Sequence, residues 1–175
     1  GELRGRPLEG KGELEFAAPS RLAGNLAVSS GKSRVSVRGD AGEAINATVN
    51  LQVASPNDWV PNTRGSLTGQ FRVRGAWPKL AIEGSAEGKS LALAGAPDRN
   101  GRQENLAQVR SVRVTANVKS PLDPQGSVDI EARNIEVSGF KFQNAQLQGS
   151  GNQGKHRVTL QASGAPLVAS LEVAG

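Results

Sequence analysis

A period of two runs through this chain and restricts it to sheet structure. Val112, Val114, Ala116 and Val118 alternate with Arg113, Thr115, Asn117 and Lys119, and Ile45, Ala47, Val49, Leu51 and Val53 alternate with Asn46, Thr48, Asn50 and Gln52. Successive strand side chains point to opposite faces, so this alternation gathers the apolar ones on a single face. The same spacing recurs at Leu14/Phe16, Val35/Val37, Phe71/Val73, Leu80/Ile82, Leu91/Leu93 and Val128/Ile130. It continues at Ile135/Val137, Phe140/Phe142, Val158/Leu160 and Leu171/Val173. The pattern predicts about 13 or 14 strands of roughly 5–8 residues. No segment keeps a 3.6-residue period. The best helical candidate, Glu104 to Ser111, is short and is assigned as the lead-in to a strand.

Glycine punctuates the strands. The chain holds 22 glycines in 175 residues, against roughly 12 at average usage, and they serve turns, bulges or bends. Longer loops are expected at Ser55 to Gly65 and Ala96 to Gln108. The length suits one domain, or one stretch of a larger repetitive architecture, over 1–175. Because Gly1 stands where an open reading frame has Met, the chain is taken as an excised fragment.

Composition narrows both fold and chemistry. The chain has no Cys and a single histidine, His156, which removes thiolate chemistry and multi-histidine metal sites. Leu, Ile, Val and Phe make up about 23% of the chain, just above the level where disorder becomes the default. That is a thin core. A sandwich, a small soluble barrel and one long curled sheet all accommodate one apolar face per strand. A transmembrane barrel needs aromatic girdles, and this chain has 4 Phe, 2 Trp and no Tyr. The apolar face is mostly Ala, Val, Leu and Gly, which fits an all-β sheet folded into a trough with an apolar interior and a polar exterior.

Sites for directional chemistry are weak. Gly149-Ser-Gly151-Asn-Gln-Gly154 satisfies G-x-G-x-x-G, but the residues after it, Arg157 to Gln161, alternate as a strand rather than opening a helix. A hairpin is expected there instead of a phosphate loop. His156 stands between Lys155 and Arg157 with no orienting carboxylate and is assigned to the solvated surface. Glu83 and Glu87, and Asp129 and Glu131, fall on polar faces. Arg72, Arg74, Arg110, Arg113, Lys119 and Arg133 are interleaved with acids and lack stacking aromatics, so no nucleic-acid partner is expected. Trp77 is expected to anchor its turn by packing on neighbouring strands, or else to form a lip beside an apolar groove.

The stretch Gly65-Ser-Leu67-Thr-Gly69-Gln-Phe71-Arg-Val73-Arg-Gly75-Ala-Trp77-Pro78-Lys-Leu80-Ala-Ile82-Glu-Gly84 resembles a recurring unit of the TamB family. Gly10 to Gly24 is similar to a second, looser copy, and Gly126-Ser-Val128-Asp-Ile130 through Gly149 continues the texture. The resemblance implies an elongated β-taco within the AsmA-like, bridge-type lipid-transfer group of Gram-negative envelopes. It implies a periplasmic location, with the parent protein anchored in the inner membrane. Implied partners are phospholipid or another aliphatic ligand, the outer-membrane barrel protein TamA through the parent protein, and nascent outer-membrane proteins. The resemblance brings no catalytic residues, cofactor or metal.

The expected site is therefore a surface. The nominated groove-lining residues are Leu14, Phe16, Val35, Val37, Val49, Leu51, Phe71, Val73, Leu80, Ile82, Val112, Val114, Val128, Ile130, Phe140, Phe142, Val158 and Leu160. Three non-enzymatic roles follow: a conduit or holdase for acyl chains, a scaffold that binds clients by strand addition at its edges, or a passive spacer.

Overall fold

The computed structural model describes residues 1–3, 6–17, 21–95, 104–120, 125–152, 155–164 and 167–174. They form one antiparallel sheet of 12 strands in strict sequence order, each hydrogen-bonded to its chain neighbours. The strands are β1 (Glu2–Leu3), β2 (Arg6–Ala17), β3 (Arg21–Ser30), β4 (Ser33–Ala41), β5 (Ile45–Val53) and β6 (Thr63–Ala76). They continue with β7 (Lys79–Ala94), β8 (Asn105–Lys119), β9 (Gln125–Val137), β10 (Phe140–Asn152), β11 (Lys155–Gly164) and β12 (Leu167–Ala174). A 3₁₀ turn, Pro56–Asp58, lies between β5 and β6. The sheet does not close: among the described residues β1 and β12 remain its two edges. The all-β curled sheet expected from the period of two is the fold observed.

The strands are fewer and longer than the alternation suggested. Leu80/Ile82 and Leu91/Leu93 belong to one strand of 16 residues, β7. Val128/Ile130 and Ile135/Val137 share β9, and the segment leading into Val112 is already β8 from Asn105. The reason is a slip in the alternation that does not end the strand. In β7 the inward set is Ile82, Gly84, Ala86 and Gly88 before Ser90, and Leu91 and Leu93 after it. Ser90 has φ 49°, and the register to β6 shifts between Arg64 and Ser66, which is a β-bulge. A Cβ built on Gly88 would lie 2.6 Å from Leu91 Cδ1 and 2.7 Å from Val112 Cγ1. Leu91 has thus stayed on the side that Gly88 and Val112 face. A bulge reads in the sequence as a broken period.

Loop expectations are adjusted in the same way. Within Ser55 to Gly65 the chain makes the 3₁₀ turn and re-enters strand at Thr63. Of Ala96 to Gln108, residues 105–108 are strand, and 96–103 lie outside the described residues. The G-x-G-x-x-G segment runs from β10 into β11, with Gly154 outside the described residues, so the two strands flank a hairpin connection.

Two features fix the sheet's shape. The first is glycine on the inner face. A Cβ on Gly84 would fall 2.2 Å from the Gln70 carbonyl oxygen and 2.7 Å from Phe71 Cδ1. The Phe71 ring therefore occupies the space over Gly84, its cross-strand partner. The second is a buried polar staple between the β3–β4 hairpin and the 3₁₀ turn. Ser33 Oγ donates to Asp58 Oδ2 at 2.9 Å, and the Lys32 N–H donates to the same oxygen at 3.2 Å. Ser30 Oγ reaches the Asp58 carbonyl at 3.4 Å, and the Ser55 N–H donates to Ser33 Oγ at 3.2 Å. Ser30, Ser33 and Asp58 are all buried. Gly31, at φ 58°, leaves the carboxylate room that a Cβ would take.

Gly84→Ala should lower stability by about 1–3 kcal/mol, because the clash is with backbone. Gly10→Ala, where nothing lies within 4 Å of the new atom, should change it by less than about 0.5 kcal/mol. Urea midpoints of the two variants test this. Asp58→Ala should cost about 1–3 kcal/mol by leaving its buried donors short of an acceptor, with Asp58→Asn costing less in the same assay.

Candidate functional site: an open apolar face

The register places directly paired residues on the same side of the sheet. One transverse row runs through Gly10, Val28, Val35, Leu51, Gly69, Ala86, Val114, Ile130, Leu147 and Leu160, crossing β2 to β11 without a polar side chain. The adjacent row on the same side runs through Gly12, Leu26, Val37, Val49, Phe71, Gly84, Ala116, Val128, Gly149 and Val158. A third includes Leu14, Val73, Ile82 and Val118. A fourth holds Phe16, Ile45 and Leu80. Val112 shares their side of β8, and Phe142 and Phe140 face Ile135 and Val137 across the β9–β10 ladder. The eighteen residues nominated from sequence therefore fall on one face, each by register.

The opposite side is polar. Its row through Lys11, Ser36, Asn50, Gln70, Ser85, Thr115, Asp129, Gln148 and Thr159 is interrupted only by Ala27. Gln70 Nε2 donates to Asn50 Oδ1 at 2.8 Å, and Arg113 lies 3.7 Å from Glu87. Glu83 sits opposite Arg72, so the carboxylates are spread among cations on this face. Among the described residues no three His, Asp or Glu side chains gather where they could hold a metal. No described helix is long and apolar enough to cross a membrane.

No element covers the apolar side among the described residues. Among the described residues the only buried apolar side chains are alanines: Ala27, Ala86 and Ala94. Leu14 is 62% exposed and Phe16 84% exposed, and Val158 and Leu160 at the other end of the rows are exposed as well. Trp77 is 67% exposed at the β6–β7 turn, which corrects the expectation that it anchors the turn by burial. A two-residue turn at the sheet margin offers an indole no second layer to pack on. Trp59, beside the Asp58 staple, is partly sequestered, and its Nε1 is buried without a hydrogen-bond partner.

The face deepens into a concavity of about 550 Å³ between β6 and β9. Leu91, Leu93, Ala107, Val109, Val112, Ala132, Ile135 and Val137 line it, with Pro56 of the 3₁₀ turn, Thr63 and Arg64 at its border. Of the nominated residues only Val112 lines this concavity. Leu91, Leu93, Ile135 and Val137 carry the same alternation and were legible as strand, but lying past the break in alternation at Ser90 and Asn134 they looked like separate short segments. Among the described residues Arg64 is the one charged residue at the border, and its cross-strand partner is Ala92.

An apolar, environment-sensitive dye should bind this concavity. Val109→Asp or Ile135→Asp should weaken the dye about tenfold by placing a carboxylate in an apolar wall. Thr115→Asp on the polar face should leave binding unchanged. Fluorescence titration separates these outcomes.

A protein-family model described as TamB, N-terminal domain, matches residues 1–175. No curated protein and no solved structure matches the chain. With an uncovered apolar sheet face and a family match over its full length, the chain belongs to the TamB family.

Proposed function

We propose that this chain is a non-enzymatic segment of a periplasmic bridge, and that its apolar face takes up phospholipid acyl chains in transit between the inner and outer membranes. The observation that carries the reading is the uncovered apolar face, continuous across ten strands. A hydrocarbon chain laid on such a face removes apolar surface from water on both partners, at about 25 cal/mol per Å². No hydrogen bond has to be aligned. Neighbouring strands repeat roughly every 4.8 Å with similar side chains, so a chain displaced by one strand meets nearly the same surroundings. Near-equal sites in series favour sliding over tight capture. In this reading the parent protein is anchored in the inner membrane and meets TamA at the outer membrane, as the family resemblance implies.

Val114→Glu and Ile130→Glu each put a carboxylate in the middle of an inner row. Both should abolish photo-cross-linking to native phospholipid in a protein whose circular dichroism remains that of a sheet. Undiminished cross-linking in these folded variants would overturn the proposal.

A specific observation favours a second reading. The outer edge of β2 is paired only at Glu2↔Pro7, Leu3↔Arg6 and between Gly1 and Leu8, so most of it carries no backbone partner among the described residues. Such an edge can template an incoming strand from a nascent outer-membrane protein. If that is the chain's role, Gly10→Pro, which removes an outward-facing N–H of β2, should abolish client binding while Ile130→Glu leaves it intact.

A further inference from the structure

Four long strands lose their pairing at the same level. The register passes from Lys89↔Ser111 to Leu91↔Val109, omitting Ser90 and Arg110. It passes from Ser111↔Arg133 to Val109↔Ile135, and from Asn144↔Arg133 to Phe142↔Ile135, omitting Asn134 and Gln143. Ser90, Arg110, Asn134 and Gln143 therefore form a transverse row of unpaired positions. Gly65 of β6 extends the row at one side, where β7 bulges against it. The backbone is left-handed at Gly65 (φ 106°), Ser90 (φ 49°) and Asn134 (φ 49°). Short polar side chains and glycine are the residues that tolerate this conformation. A single bulge bends one strand. At this level only the β6–β7 ladder has a true bulge. In the other three the register resumes unchanged, so one residue on each strand is left unpaired at the same level and a crease runs through the sheet.

Beyond the crease lies a lip that holds together on its own. Leu93, Ala107, Val137 and Phe140 remain paired in one row. Gln108 Nε2 donates to Glu136 at 2.8 Å, and the Ser138 N–H donates to the Leu106 carbonyl at 3.0 Å. The lip is tied to β6 at one side through Thr63↔Leu93 and through the Ala94 N–H to the Asn62 carbonyl at 2.8 Å. The apolar concavity spans the crease: Val112 and Ala132 belong to the body, and Leu93 and Val137 to the lip. A second hollow, of about 540 Å³, lies along the crease itself, between Ser90, Arg110, Asn134 and Gln143. The crease is thus thinly packed.

We propose that this row of unpaired positions is a hinge, about which the lip swings as a unit to widen or narrow the apolar concavity. The movement is largest at the β9–β10 side, away from the tie to β6. The gating role rests on the acyl-chain reading above; the hinge itself does not.

The chain has no cysteine, so paired labels report without ambiguity. Gln52→Cys with Lys141→Cys spans body to lip, and Gln52→Cys with Gln148→Cys spans body to body on the same two strands. Electron–electron distance measurement on spin-labelled protein should give a broad, two-component distribution for the lip pair and a single narrow one for the body pair. Dihexanoylphosphatidylcholine below its micelle concentration should collapse the lip distribution to one component. A lip distribution as narrow as the body control would overturn the hinge. Two components that ignore the lipid would overturn the gating and leave the hinge standing. Failed cross-linking in the preceding experiment, with a mobile lip here, would remove the acyl-chain reading alone.

Discussion

A sheet with one apolar face has to cover that face, and among the described residues no second layer does so. Most folded domains resolve the problem with a packed helix layer, a second sheet, or closure into a barrel. Here the described residues form one meander, and the side chains sequestered from water beyond three alanines are Ser30, Ser33 and Asp58. What stabilises the sheet is its ladder of neighbouring strands, the cross-strand contacts along each row, and a polar staple at one end. Curvature gives the inner face partial shelter, and glycine makes the curvature possible where Phe71 lies over Gly84.

That constraint ties the fold to the proposed role. A face that is neither buried nor specific suits a partner that is itself apolar and featureless. An acyl chain matches it better than a folded protein surface, which would present shape and charge that these rows cannot answer. The polar side, with Glu87 and Arg113 within 3.7 Å and amides paired across strands, keeps the outer surface hydrated. The two open edges leave the sheet able to accept further strands at both ends.

Much of the fold was legible in the sequence because a period of two encodes the face directly. Leu51, Val114 and Leu160 are spaced for a strand, and the register placed all three in one row. Less legible was where strands end. At Ser90 and Asn134 the alternation shifts by one residue, and a string of letters shows the same signature for a bulge as for a turn. That the strand continues is shown by its pairing with neighbouring strands on both sides of the break, which no local pattern contains. For the same reason the concavity's walls at Leu91, Val109 and Ile135 were missed, although their alternation was visible. Of the two roles expected for Trp77, packing against its turn fails because no second layer stands over it among the described residues.

The central claim is that the apolar face holds aliphatic cargo, and native mass spectrometry of the purified chain tests it most directly. Bound phospholipid, released on activation and lost in Ile130→Glu, is the expected result. Bare polypeptide mass from a folded protein exposed to native membranes would contradict it.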